Sequence, residues 1–111
     1  LEALRTYKLI KPETLALMTK DRLSDAQKAT YWTNETHGYG LGVRVNVDPA
    51  AAGNLAPKGE FGWDGAAGTY MMVDPVRRMS VVIGLHLAGW PTTFVGEHLK
   101  IVEEYIKNQL D

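Results

Sequence analysis

Four glycines fall within eleven residues in the run Gly59-Glu60-Phe61-Gly62-Trp63-Asp64-Gly65-Ala66-Ala67-Gly68-Thr69, which passes straight into Tyr70-Met71-Met72-Val73-Asp74-Pro75. Inside a strand, glycine has no side chain to pack and loses the most conformational entropy on folding. Its repeated use beside a β-branched and aromatic run points to a strand whose backbone is approached closely. A neighbouring strand, a nucleophile-bearing helix and a substrate are the three candidates for that approach.

The chain has 111 residues, enough for one domain with a real core. Its net charge of −1 carries no electrostatic footprint for nucleic acid or anionic lipid. The longest apolar stretches, such as Val81 to Leu85, are far too short to cross a bilayer. Cysteine is absent, so disulfides and thiolate metal sites are excluded. The compartment stays open between bacterial cytoplasm and periplasm, because many exported proteins also lack cysteine. The first residue is Leu1, which fits a processed chain or a piece of a longer protein.

Leu1, Leu4 and Leu9 are spaced for one face of a helical end, and Pro12-Glu13-Thr14 opens a helix over about 12 to 20. Residues 24 to 37 are polar and aperiodic and read as a loop. Tyr39, Leu41, Val43, Val45 and Val47 alternate with Gly40, Gly42, Arg44 and Asn46, which predicts a strand over 39 to 47. Asp48-Pro49 ends it, and Ala50 to Lys58 reads as a loop with turn signals at Gly53-Asn54 and Pro57. Further strands are expected at about 60 to 65, 68 to 73 and 79 to 87, the last two joined by the polar hairpin Asp74 to Arg78. The near-continuous apolar run from Val81 to Leu87 suits a strand covered on both faces. Gly89-Trp90-Pro91 breaks the chain, and Thr92 or Thr93 caps an amphipathic helix to about residue 110. The sum is α+β: an antiparallel sheet of about three strands plus one outlying strand, packed against helices. So thin a sheet leaves an edge strand wanting a partner.

Several chemistries are excluded. His37, His86 and His98 lack metal-ligand spacing, and no glycine pattern opens a helix as a phosphate cradle, so neither metal nor cofactor is implied. Only two serines occur, Ser24 and Ser80. Neither is followed by lysine at the third position, and neither sits in a Gly-x-Ser-x-Gly elbow. Leu1 also rules out an N-terminal threonine nucleophile.

The order Tyr39-Gly40-Leu41-Gly42, then Gly59 to Tyr70, then Val73-Asp74-Pro75, an apolar strand and a terminal helix, resembles the C-terminal part of the serine β-lactamase-like family. This is the branch of class C β-lactamases, D-alanyl-D-alanine peptidases and related esterases. The resemblance covers nearly the whole chain. It implies a Ser-x-x-Lys nucleophile, a Tyr-x-Asn element and a third motif of Lys-Thr-Gly, His-x-Gly or Trp-x-Gly on a sheet strand. The third motif falls on Trp63-Asp64-Gly65; the first two are absent and would lie upstream of Leu1.

By that resemblance the β-strand forms a wall of the active-site cleft. Trp63, Asp64 and Gly65 would bind substrate, and the Ala66 backbone N–H would hold the oxyanion, a donor worth about 3 kcal/mol in the transition state. Trp63 stands where lysine would meet a substrate carboxylate, and Asp64 adds negative charge if it faces the cleft. Both shift the expected substrate toward a neutral ester or amide. The alternative for Trp63 is a core aromatic, and for Gly62, Gly65 and Gly68 a relief of crowding.

The resulting expectation is a single domain, 1–111, that is a C-terminal fragment of a longer serine hydrolase. It would act on a small-molecule substrate only with the missing N-terminal part of the chain, would be inert alone, and would be prone to self-associate. The competing expectation is a non-enzymatic α+β module whose open sheet edge binds a peptide or a second copy.

Overall fold

The structure, a computed structural model, describes residues 1–31, 36–53, 55–89 and 93–110, without the side chains of 93–99 and 110. Five antiparallel strands follow one another in chain order across a single sheet: β1 (His37–Tyr39), β2 (Arg44–Asn46), β3 (Phe61–Asp64), β4 (Tyr70–Asp74) and β5 (Met79–Ile83). The helices are α1 (Glu2–Arg5), α2 (Pro12–Met18), α3 (Asp25–Lys28), α4 (Pro49–Ala52) and α5 (Thr93–Leu110). This is the α+β architecture expected, with more strands than the hydrophobic pattern suggested.

The sheet carries a core on each face. Val43, Val45, Phe61 and Val73 pack against Leu1, Leu4, Leu15 and Met18 of the N-terminal helical region. Tyr70 and Met72, with Met79, Val81 and Ile83, receive Val102 and Ile106 of α5 on the other face. Strand alternation makes this possible, since Met72 and Val73 are adjacent and point to opposite layers. Both are almost completely buried, at 1 % exposure each.

Four local readings change. The loop expected over 50 to 58 begins within α4, whose first turn is capped by the Asp48 carboxylate accepting from the Ala50 and Ala51 N–H groups. The strand expected over 39 to 47 is a hairpin, β1 and β2, paired His37 with Asn46, Gly38 with Val45 and Tyr39 with Arg44. The Gly40 N–H donates to the Val43 carbonyl at 2.8 Å, and Gly42 has φ +78°. The positive φ lets the chain reverse at Gly42, a conformation that glycine adopts without strain. Alternation persisted through the turn and disguised it.

The loop expected over 24 to 37 contains α3, closed by a capping box: Gln27 N–H donates to Ser24 Oγ, and Ser24 N–H donates to Gln27 Oε1. Residues 32–35 of that loop, Asn54 of the expected turn, and the break and cap at Trp90, Pro91 and Thr92 lie outside the described residues. Finally, the apolar run after Ser80 is not covered on both faces. Strand β5 ends at Ile83 and forms the sheet edge, with Val82 65 % exposed.

The polar hairpin between β4 and β5 forms as expected. The fully buried Asp74 carboxylate accepts the backbone N–H of Val76 at 2.9 Å and of Arg77 at 2.8 Å, and pairs with the Arg77 guanidinium at 2.9 Å.

Gly62 answers the question of close approach. It pairs with Met72, and a Cβ built on it would overlap the Met71 carbonyl and crowd the Met72 Cα. Backbone cannot yield as a flexible side chain can. Gly62→Ala should therefore destabilise the protein by about 2 kcal/mol or more, as overpacking of a fixed backbone does. Gly42→Ala, with open space around it but φ +78°, should cost about 1 kcal/mol. Urea denaturation of both variants checks the order; equal losses would contradict it.

Candidate functional site

Strand β3 ends at Asp64, and residues 65 to 69 turn the chain back into β4. Gly68 N–H donates to the Gly65 carbonyl at 2.9 Å and Gly65 N–H to the Thr69 carbonyl at 2.5 Å, while Gly68 takes φ +89°. Two further bonds tie this loop to the segment after β5: Leu87 N–H to the Ala67 carbonyl and Thr69 Oγ1 to the Leu85 carbonyl, both 3.0 Å. Ala66 lies at the exposed corner of the turn, and among the described residues its N–H donates to nothing.

Trp63 is 36 % exposed and meets the Tyr39 ring edge-on, with centroids 5.2 Å apart. Tyr39 in turn meets Tyr31 edge-on at 6.1 Å. Such contacts match the positive edge of one ring to the negative face of the next. Trp63 is therefore part of a surface aromatic row rather than of either core cluster. The sequence offered no periodicity that would bring Tyr31, Tyr39 and Trp63 together.

Asp64 turns onto Arg44. The guanidinium of Arg44 donates from Nη1 to Asp64 Oδ1 at 2.7 Å, and from Nη2 to Glu60 Oε1 at 3.3 Å and to the Tyr70 hydroxyl at 3.1 Å. It also stands 5.1 Å from the Tyr70 ring centroid. The negative charge that Asp64 would show the cleft is thus matched from behind. His37 completes the group, its Nε2 3.9 Å from Glu60 Oε2 and its Nδ1 2.8 Å from Thr36 Oγ1.

Burial sets the protonation of this cluster. Burial raises the Glu60 carboxyl to about 7, helped by Asp64 and Asp74 and opposed by Arg44. Burial lowers His37 to about 4, and the Arg44 charge acts in the same direction. Near pH 6 the Glu60–His37 contact is therefore between two neutral groups, not an ion pair. Burial also lifts the Tyr70 hydroxyl to about 12. Arg44 itself would be pulled down by burial, but Glu60, Tyr70 and Asp64 hold it above its ordinary value.

A family model described as Beta-lactamase matches residues 4–104. The chain belongs to the β-lactamase family. Two proteins of Mycobacterium tuberculosis, one from strain CDC 1551 / Oshkosh and Protein Rv1367c from strain H37Rv, are each 38 % identical to it over 77 residues. Those matches cover 61 % of this chain and 19 % of theirs, so it spans about a fifth of the length of these curated relatives. Among solved structures, it is similar to EstCE1, described as a hydrolase with promiscuous acyltransferase activity. The TM-score is 0.67 at 29 % identity, covering 79 % of this chain and 23 % of that one. A mutant of simvastatin synthase from Aspergillus terreus shares the fold, with TM-score 0.73 at 19 % identity, over 97 % of this chain and 32 % of the other. The family read from the order of motifs is the family found.

The Glu60 cluster makes a prediction that needs no substrate. The folded protein holds the Glu60 proton that the unfolded chain gives up above about pH 4.5, so this contribution to stability is present below 4.5 and lost as pH rises through about 7. His37 acts oppositely, its contribution present above 6.5 and lost as pH falls through about 4. Glu60→Gln keeps the neutral shape and removes the first term. Relative to the parent it should gain up to about 3 kcal/mol between pH 4.5 and 7.5 in denaturation measurements. A difference that does not change with pH would contradict the assignment.

Proposed function

We propose that this chain is the C-terminal part of a longer acyl-serine enzyme of the β-lactamase family, hydrolysing neutral esters or amides or transferring their acyl groups. The observation that carries the reading is the Ala66 N–H, left without an acceptor among the described residues at the exposed corner of a hydrogen-bonded turn directly after Trp63-Asp64-Gly65. Backbone donors fixed in this way need no reorganisation when negative charge develops on a substrate carbonyl.

In this reading the parent chain supplies the serine, which attacks the carbonyl carbon while a base takes its proton. The carbonyl oxygen becomes an oxyanion and accepts from Ala66 N–H. Collapse expels the alcohol or amine, which leaves with a proton, and the acyl group remains on the serine. Water, or a second alcohol in acyl transfer, then releases it. Gly65 keeps the approach open, and Trp63 lies along the acyl or leaving group. Because Arg44 matches Asp64, the preference for neutral substrates rests on the flat aromatic surface of Trp63 and Tyr39, which offers no cation to a carboxylate.

The remaining surface supports a partner in the same polypeptide. Val82 on the open β5 edge, with Ile101 and Tyr105 of α5, lines an apolar groove at the end of the sheet. The rest of the parent chain would cover it, and the fragment alone would be inert.

The test is steady-state hydrolysis by the full-length protein. We expect turnover of short neutral aryl esters, and Trp63→Ala should lower kcat/KM for them by about tenfold. Efficient hydrolysis of a cephalosporin reporter with no activity on aryl esters would overturn the substrate assignment.

A further inference from the structure

The Arg44 cluster does more than compensate buried charge. Asp64 and Tyr70 are register partners, the last pair of β3 and β4 before the loop of residues 65 to 69. They are therefore the two feet of the turn that carries Ala66. Arg44 bonds both of them, Asp64 through Nη1 and Tyr70 through Nη2. It also bonds Glu60, immediately before β3 begins.

The backbone makes this reach possible. Arg44 pairs with Gly62, and Glu60, Gly62 and Asp64 fall on one face by strand alternation. The residue between the two carboxylates thus carries no side chain. Arg44 is itself 5 % exposed, and its bonds to Glu60 and Tyr70 form away from water, where fixed geometry is enforced most strongly; the bond to Asp64 is part-buried. A planar fork can meet separate acceptors at once in directions a lysine ammonium does not reproduce.

We propose that Arg44 is a positioning residue: it bolts together the two feet of the 65–69 turn and so fixes the direction of the Ala66 N–H. The link to catalysis rests on the acyl-transfer reading above; the link to turn geometry does not. Arg44 touches no reacting atom. It acts through Asp64 and Tyr70 on the backbone that follows them.

Two variants of the full-length protein test this. Tyr70→Phe removes one bond and leaves every charge paired and the ring in its core. Arg44→Lys keeps the charge and loses the fork. Hydrogen exchange by mass spectrometry, read on the peptide spanning residues 62 to 70, reports turn order without any substrate. Both variants should speed exchange there while peptides of α5 and β5 are unchanged. For a neutral aryl ester, kcat should fall by about tenfold in Arg44→Lys and less in Tyr70→Phe, with KM nearly constant, since misdirected groups weaken the transition state more than binding.

Unchanged exchange at 62 to 70 in both variants would overturn the proposal. So would faster exchange throughout the sheet, which marks a general stability role. Local acceleration with kcat unaltered would remove the catalytic half. Local acceleration in a protein that hydrolyses no acyl substrate would support the bolt and defeat the acyl-transfer reading instead.

Discussion

One buried guanidinium organises the polar half of this molecule. Arg44 sits within hydrogen-bonding reach of two carboxylates and a phenol that come from either end of β3 and from the start of β4. Removing it would leave the Asp64 carboxylate without its counter-charge and Glu60 and Tyr70 without their shared hydrogen-bond donor, and breaking a buried pair in that way typically costs about 3–5 kcal/mol. With it in place, β3 can carry charged residues on a face that also borders the α5 core. Burial, with the Arg44 charge acting in the same direction, keeps His37 neutral, so the cluster holds one cation against its acids rather than two.

Around that cluster the fold is a simple meander. Each strand pairs with the next in sequence, so most of the sheet is built from local hairpins. The two cores meet at β4, where Met72 and Val73 belong to opposite layers. The sheet is braced at its middle and open at β5. That asymmetry suits a piece that continues into a larger enzyme, which is the proposed role for the chain.

Much of this was legible in the sequence, and the failures have physical causes. Pro12 and Glu13 announced α2, Asp74 to Arg78 announced the β4–β5 hairpin, and the amphipathic pattern to about residue 110 announced α5, whose Val102 and Ile106 are buried. The β1–β2 hairpin was missed because Leu41 and Val43 keep an alternating pattern through a turn that only Gly42 betrays. The capping box at Ser24 and Gln27 carries its signal in two residues, too few to outweigh a polar context. Arg44 could not have been found: its partners lie 16 to 26 residues away, and a lone arginine in an alternating strand looks like a solvent-facing residue. Trp63 and Gly65 were named from motif order, whereas the aromatic neighbours Tyr31 and Tyr39 required the fold.

The central claim is that the β3 turn serves a nucleophile that these 111 residues do not contain. Labelling the full-length protein with a fluorophosphonate, followed by peptide mapping of the modified site, tests it most directly. The account predicts one stoichiometric adduct on a serine outside residues 1–111. An adduct on Ser24 or Ser80, or no adduct at all, would contradict it.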